Sequence, residues 1–180
     1  MPRFVLLDRD GVINRRIISG YVSRWGEFVF LPGALEALRL LNEKNYQVIV
    51  VSNQAGVGKG LMSAADLDEV TLRFIAEVEA HGGRILSVYY CTHRAEDGCE
   101  CRKPKPGLLR RAQAEHHFDF ERTFLVGDTE SDLRAAQAAG CPAIMVSGTP
   151  VSALETLPHA PRLTVPTLLA AAEFLINEPE

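Results

Sequence analysis

Two carboxylates stand close together near the amino end of the chain, where Asp8 and Asp10 follow a short apolar run. Neighbouring acids repel each other, so such a pair suits either a divalent cation or a division of labour between two reactive groups. One carboxylate can attack phosphorus while the other protonates the leaving oxygen and then activates water. Asp and Gly are also common in turns and helix caps, so Asp8-Arg9-Asp10-Gly11 alone does not decide between chemistry and structure.

Further polar side chains follow other apolar runs of the chain. They are Ser52, Asn53 and Gln54, then Arg102 and Lys103, and finally Asp128. A hydroxyl with backbone N–H groups can hold phosphate oxygens, and a pair of cations can offset phosphate charge. Taken singly, the cations fit a solvated basic turn and the last acid fits a helix cap. Together they predict a phosphate site.

A cluster of cysteines and one histidine lies in the middle of the chain. Its members follow the pattern Cys91-x-His93-x5-Cys99-x-Cys101. Three thiolates and an imidazole form a complete tetrahedral set, so we expect a structural Zn²⁺ with no open position. The alternatives are chance clustering and a Cys99–Cys101 disulfide, which is strained at that separation. Cys141 stands apart before an apolar run and is interpreted as a buried small hydrophobic residue.

Apolar runs alternate with amphipathic segments along the chain, and this alternation predicts the elements that position these side chains. The predicted strands are Phe4–Leu7, Gln47–Val51, Ile85–Tyr90, Thr123–Val126, Ala143–Val146 and Leu163–Val165. The predicted helices contain Leu35, Leu38 and Leu41, then Leu67 to Val78, Gly107 to His116, Ser131 to Ala139, and Thr167 to Ile176. Ser63 and Asp66 have the spacing of a variant capping box. The fold class is therefore α/β, a doubly wound, mainly parallel sheet flanked by helices, with ligands at the carboxyl ends of the strands.

The spacing of the motifs limits the domain organisation. The intervals from Asp8 to Ser52 and from Ser52 to Lys103 each hold one helix-strand unit plus a loop, so we expect no cap domain. Residues 1–180 are predicted to form a single domain. We expect a flap at about residues 14–30 and a zinc loop at residues 91–101 to control access to the ligand site.

Composition excludes several classes of protein. The chain has 180 residues, of which 47% are hydrophobic and 23% charged, as in a soluble globular domain. A net charge of −4 does not suit a protein that binds nucleic acid through its backbone phosphates. No apolar run reaches the roughly 20 residues that a membrane span needs, and the amino end does not resemble a secretory signal. We expect a cytoplasmic monomer that binds a small molecule and neither nucleic acid nor a membrane.

The order and spacing of four motifs resemble those of haloacid dehalogenase-like phosphatases. The motifs are Asp8-x-Asp10-Gly11, Ser52, Lys103-Pro104, and Gly127-Asp128 with Asp132. The resemblance covers residues 1 to about 146 and implies a Rossmann-like core. It implies that Asp8 is a nucleophile forming an aspartyl-phosphate, that Asp10 is the general acid/base, and that Ser52 and Lys103 bind the transferring phosphoryl group. It further implies Mg²⁺ bound by Asp8, by the backbone carbonyl of Asp10, and by Asp128.

Two groups within that superfamily carry a similar cysteine loop, the heptose-bisphosphate phosphatases and the phosphatase part of histidine-biosynthesis enzymes. The sequence is more similar to the first, which implies removal of the 7-phosphate of a heptose 1,7-bisphosphate on the way to nucleotide-activated heptose and lipopolysaccharide. The residues expected to contact substrate are Ser19, Gly20, Tyr21, Asn53, Gln54, Arg102 and Thr129. Ser19 and Thr129 depart from the His and Lys usual in the group. Histidinol-phosphate hydrolysis, a DNA-end phosphatase and a catalytically inactive zinc-bearing binding module are the alternatives.

Overall fold

The computed structural model of the protein describes residues 2–147 and 160–178. Its centre is a sheet of six parallel strands in the order β3-β2-β1-β4-β5-β6. The strands are β1 (Arg3–Leu7), β2 (Tyr46–Asn53), β3 (Ser87–Cys91), β4 (Phe124–Gly127), β5 (Ala143–Val146) and β6 (Leu163–Val165). Both faces of this sheet are covered, which accounts for the nearly continuous apolar character of the strands. The predicted doubly wound α/β fold is confirmed.

Within residues 2–147 and 160–178, five α-helices cover the two faces of the sheet. They are α1 (Ala34–Glu43), α2 (Ala64–Ala80), α3 (Gly107–His116), α4 (Glu130–Ala139) and α5 (Leu168–Asn177). Helices α1, α2 and α5 pack on one face around Leu38, Phe74 and Leu175. Helices α3 and α4 pack on the other face, where Leu109, Leu133 and the buried Cys141 meet. The interpretation of Cys141 as a small core residue is confirmed.

Capping boxes begin two of the helices described above. Ser63 and Asp66 form the predicted capping box, in which each side chain accepts from the backbone N–H of the other residue. Thr129 and Asp132 form a second box at α4, which begins one residue before the predicted Ser131. Capping satisfies N–H groups that have no partner inside the helix. The second box also places an acid beside the carboxyl end of β4.

The order of the strands reverses between β1 and β4, which are neighbours in the sheet although most of the chain separates them. In open α/β sheets ligands bind in the crevice at this reversal. Asp8 leaves β1 and Asp128 leaves β4 at this point. Ser52 and Asn53, predicted to follow β2, form its last two residues instead, because they continue the parallel ladder with β3.

The predicted flap lies in the connection between β1 and α1. Asn14 pairs with Phe30 at its base in an antiparallel bridge, and a short 3₁₀-helix spans Trp25–Glu27. Within the described ranges, neither this connection nor the one from β2 to α2 carries a separate domain. Among the same residues no helix has the length and apolar character to cross a bilayer.

Candidate active site

A buried ion-pair network lies at the junction of β1, β4 and the segment after the cysteine loop. The Lys103 ammonium lies 3.0 Å from an Asp8 carboxylate oxygen and 2.6 Å from Asp132 Oδ1. It also donates to the backbone carbonyl of Val51 at 2.8 Å. Asp8, Lys103 and Asp132 are only 5%, 3% and 1% exposed, so water screens their charges little, and Lys103 is the cation that pairs with both acids.

Burial and pairing shift the ionisation of these acids in opposite directions. Burial raises the pKa of the Asp8 carboxyl, and the nearby Lys103 ammonium opposes that rise. Although burial also disfavours the charge of Asp132, Lys103 and Thr129 hold the pKa of Asp132 below its usual range. Asp132 is therefore the fixed counter-ion of Lys103, while Asp8 is the acid that borders the cavity.

The Asp10 carboxylate is held by donors from three side chains. Asn14 and Gln54 each donate an amide N–H to it at 2.7 Å. Arg9 donates from its guanidinium at 3.2 to 3.3 Å, and this guanidinium is fully buried. Arg9 in turn reaches the Tyr90 hydroxyl at 3.4 Å. These contacts orient Asp10 while leaving part of its carboxyl on the cavity wall.

Oxygen atoms of three residues converge at one point of the site. They belong to the Asp8 carboxylate, the Asp10 backbone carbonyl and the Asp128 carboxylate, and the Arg16 guanidinium contacts all three. Gly11 makes the approach possible, since a Cβ at this position would lie 1.9 Å from Asp128 Oδ2. Oxygen donors of this kind are what Mg²⁺ prefers, so the residues fit the ion. Burial raises the pKa of Asp128 to about 6, and Arg16 opposes that rise.

Asp132 is less suited to hold a metal although it lies within reach. Its carboxylate, with those of Asp8 and Asp128, could form a group of ligand atoms within 4.8 Å of one another. However, one of its oxygens pairs with Lys103, and the other accepts from the backbone N–H groups of Asp128 and Thr129. Gly127 allows this packing, since a Cβ there would lie 2.3 Å from the Asp132 Cβ.

A polar cavity of about 570 Å³ opens over the network. Most residues expected from the sequence to meet the substrate line it, namely Asp8, Asp10, Ser19, Gly20, Tyr21, Ser52, Asn53, Arg102, Lys103 and Thr129. Residues 16 to 22, within the predicted flap, form one wall of this cavity. One guanidinium nitrogen of Arg102 is buried and, among the described residues, has no hydrogen-bond partner.

Gln54, expected from the sequence to contact substrate, is not among the residues that line the cavity. It is fully buried, and its amide group bonds Asp10, Ser52 and Arg9. Asn53 lines the cavity and also holds the backbone of Lys103. Its amide group donates to the Lys103 carbonyl at 3.0 Å and accepts from the Lys103 N–H at 3.1 Å.

The cysteine loop brings its four predicted ligands together. Cys101 Sγ lies 3.2 Å from Cys91 Sγ and 3.5 Å from Cys99 Sγ, and His93 Nδ1 lies 3.2 Å from Cys101 Sγ. These distances are far longer than a disulfide bond, and all the cysteines are free, so the disulfide alternative is wrong. The cluster can hold a metal ion in a four-coordinate site.

Sequence reasoning missed several functional positions. Arg9, Arg16 and Lys59 all lie at the site, the last two on the cavity wall, and none was singled out as a site residue. Asp132 was noted only as part of a motif, whereas the structure makes it the partner of Lys103. The capping spacing of Thr129 and Asp132 was the available signal.

The fold and the site define a hydrolase of the haloacid dehalogenase-like class. A family model described as HAD-hydrolase-like matches residues 100–171. The D-glycero-beta-D-manno-heptose-1,7-bisphosphate 7-phosphatase of Pseudomonas putida is 37% identical over 144 residues, covering 80% of this chain and 82% of the relative. The chain therefore belongs to the heptose-1,7-bisphosphate 7-phosphatase family and is a phosphatase.

Two other similar proteins extend this comparison. The D-glycero-alpha-D-manno-heptose-1,7-bisphosphate 7-phosphatase of Mycobacterium bovis is 40% identical over 155 residues, covering 80% of this chain and 79% of the relative. The crystal structure of D,D-heptose 1,7-bisphosphate phosphatase from B. bronchiseptica, complexed with magnesium and phosphate, superposes with a TM-score of 0.90. It is 33% identical and covers 98% of this chain and 99% of that one.

Proposed function

We propose that this protein removes the 7-phosphate of D-glycero-D-manno-heptose 1,7-bisphosphate through an aspartyl-phosphate on Asp8. The observation that carries the proposal is the buried Asp8–Lys103–Asp132 network at the floor of a polar cavity. A structural protein gains little from burying three charges where a cavity opens. The relatives named for this reaction support the choice of substrate.

In the first step the Asp8 carboxylate attacks phosphorus and the bond to the sugar oxygen breaks. Lys103 favours the ionised form of Asp8 and offsets the charge of the incoming phosphate, while the buried hydroxyl of Ser52 is placed to bind a phosphate oxygen. The leaving sugar oxygen takes a proton from Asp10, which faces the same cavity. In the second step Asp10, now ionised, accepts a proton from the water that attacks the aspartyl-phosphate and releases inorganic phosphate.

Mg²⁺ fits the oxygen donors of Asp8, Asp10 and Asp128, the last two supplying a backbone carbonyl and a carboxylate. When bound, it supplies positive charge that offsets the repulsion between a carboxylate and a phosphate dianion. The remaining cavity residues bind and orient the rest of the substrate. Arg102 is suited to an anionic group because it has an unpaired, buried N–H donor among the residues described.

Side-by-side turnover with Mg²⁺ tests the substrate. The panel contains the alpha and beta anomers of heptose 1,7-bisphosphate, fructose 1,6-bisphosphate and histidinol phosphate. We expect one of the heptose anomers to have the highest kcat/KM. A strong preference for histidinol phosphate would overturn the substrate while leaving the phosphatase chemistry standing.

The nucleophile is tested by Asp8→Asn, which should abolish turnover because an amide cannot form the acyl-phosphate. The matched control is Asp68→Asn, the same substitution at an exposed position of α2. Acid-quenched incubation with ³²P-labelled substrate should label the wild type and Asp68→Asn but not Asp8→Asn. Clear residual phosphatase activity in Asp8→Asn would remove Asp8 from the nucleophile role.

We also propose that Cys91, His93, Cys99 and Cys101 hold a structural Zn²⁺. The donors are soft and fill all four positions, leaving none for a reacting group. The ion would therefore order the loop and position Arg102 and Lys103, which follow it. Metal analysis of protein purified without chelator should find zinc in a one-to-one ratio with the chain. Absence of bound zinc in that preparation removes this proposal.

A further inference from the structure

Arg16 occupies the point at which the oxygen donors of the candidate magnesium site converge. Its guanidinium donates to the Asp10 carbonyl at 2.7 Å and to Asp128 Oδ1 at 2.8 Å. Arg16 Nε donates to Asp128 Oδ2 at 3.3 Å, and Asp8 Oδ2 lies 3.7 Å from Arg16 Nη2. Asp128 does not line the cavity, whereas Arg16 does. The guanidinium therefore contacts all three oxygen groups from the side of the cavity.

We propose that Arg16 is a tethered competitor of the divalent cation at this site. The inference rests on the proposed function, because it takes Asp8, the Asp10 carbonyl and Asp128 as the magnesium ligands. Mg²⁺ binds its ligands at about 2.0 to 2.1 Å in nearly ideal octahedral geometry. The oxygens cannot satisfy that geometry and the Arg16 hydrogen bonds together, and two cations at one point repel each other. Arg16 must leave when the ion binds.

The surroundings of Arg16 suit a side chain that has to move. Its side chain is 46% exposed, in contrast to the almost fully buried Lys103 in the same network. Residues 15 to 20 contain no buried side chain, while the buried Asn14 and Val22 fix the two ends of this stretch. Arg16 can therefore exchange its acid partners for solvent or for the cavity without disturbing the core.

The contact also has a stabilising role in the free protein. Three acids, Asp8, Asp128 and Asp132, lie together at this point, and Lys103 compensates only two of them directly. Arg16 provides the second positive charge and reduces the repulsion among these acids. The same contacts reduce the apparent affinity for Mg²⁺, because only molecules in which Arg16 has withdrawn can bind the ion.

Calorimetric titration of the full chain with MgCl₂, without substrate, tests the competition. The variants are Arg16→Gln, Arg16→Lys and the control Arg15→Gln, which removes the same charge from the exposed neighbouring residue. We expect Arg16→Gln to bind Mg²⁺ about tenfold more tightly than the wild type, which corresponds to losing a charge-assisted hydrogen bond from the competing state. Arg16→Lys should be intermediate, and Arg15→Gln should match the wild type.

Thermal unfolding gives a second readout that does not depend on activity. Without Mg²⁺, Arg16→Gln should melt at a lower temperature than the wild type and should gain more from saturating Mg²⁺. Equal or weaker Mg²⁺ binding by Arg16→Gln, with normal binding by the wild type, overturns the role of Arg16 alone. If neither protein binds Mg²⁺ at millimolar concentration, the magnesium assignment fails and the inference fails with it.

Discussion

Two irregular segments, one lining the cavity and one leading into Arg102 and Lys103 on its wall, are held in place by different forces. The flap at residues 14–30 buries Val22 and Phe28 in the main core, where Phe28 stacks against Phe74 of α2 at a centroid distance of 5.7 Å. The cysteine loop at residues 91–101 buries only the first of its candidate ligands, Cys91, and residues 93 to 98 are all exposed. Apolar packing therefore orders the flap, whereas four converging ligand atoms are what can order the loop.

This difference predicts that the flap mainly supports the stability of the fold, whereas the cysteine loop mainly supports catalysis. The flap contributes to the same core as α1, α2 and α5, so damage to it should lower the stability of the whole fold. The loop leads directly into Arg102 and Lys103, so damage to it should change the position of two cations before it changes the core. Substitutions in the two segments can test this contrast.

The largest effect is expected from Phe28→Ala in the flap. Removing a buried aromatic side chain leaves a cavity, so the free energy of unfolding should fall by about 3 to 5 kcal/mol. Urea denaturation measures this change, and Val29→Ala, at an exposed neighbour, should cost much less. Added zinc should not restore the lost stability. An unchanged urea midpoint for Phe28→Ala would show that core packing does not hold the flap.

The second-largest effect is expected from removing one of the four candidate zinc ligands of the cysteine loop. Cys99→Ala should bind zinc substoichiometrically and lower kcat/KM by about 100-fold, because the chain leading to Lys103 loses its anchor. Metal analysis and steady-state kinetics measure the two effects. Cys141→Ala, the same change at a buried cysteine outside the loop, should keep both zinc and activity. Normal activity in zinc-free Cys99→Ala would mean that the loop does not position the cations.

A smaller effect is expected at Asn53, which holds Lys103 from the side of the sheet. Asn53→Ala removes two hydrogen bonds to the Lys103 backbone and should lower kcat/KM by about tenfold, with zinc still bound. The exposed Asn177→Ala at the end of α5 provides the control. Combining Asn53→Ala with Cys99→Ala should produce a non-additive loss if both act through Lys103. Strictly additive losses would separate the two anchors.

The smallest effect is expected from the ion pair on the surface of the loop. Arg94 pairs with Asp97 at 3.0 Å, but both side chains face solvent, where such pairs contribute little. Arg94→Ala should therefore change zinc affinity and kcat/KM by less than about twofold. A competition titration with a chromogenic chelator measures the zinc affinity. A loss as large as that of Cys99→Ala would show that this ion pair, and not the metal, orders the loop.

Much of the architecture could be predicted because its signals are local. The run Ala143–Val146 and the segment from Gly107 to His116 have the predicted bounds, and the Ser63–Asp66 spacing marks a real capping box. The predicted bounds are wrong at the ends of some elements, because pairing with a neighbouring strand decides where a strand ends. β2 extends through Asn53 because β3 continues beside it, which no pattern within β2 could reveal.

The sequence by itself determined the periodicity of the strands and helices, the short-range ligand pattern of the cysteine loop, and the acids at the ends of β1 and β4. Each of these depends on residues a few positions apart, whose geometry the local backbone sets. Only the tertiary structure decided that Gln54 turns inward to Asp10, that Asp132 pairs with Lys103, and that Arg16 reaches Asp128, 112 positions away. Those contacts arise because the sheet places β1 beside β4, and the distance between two residues along the chain carries no information about that neighbourhood.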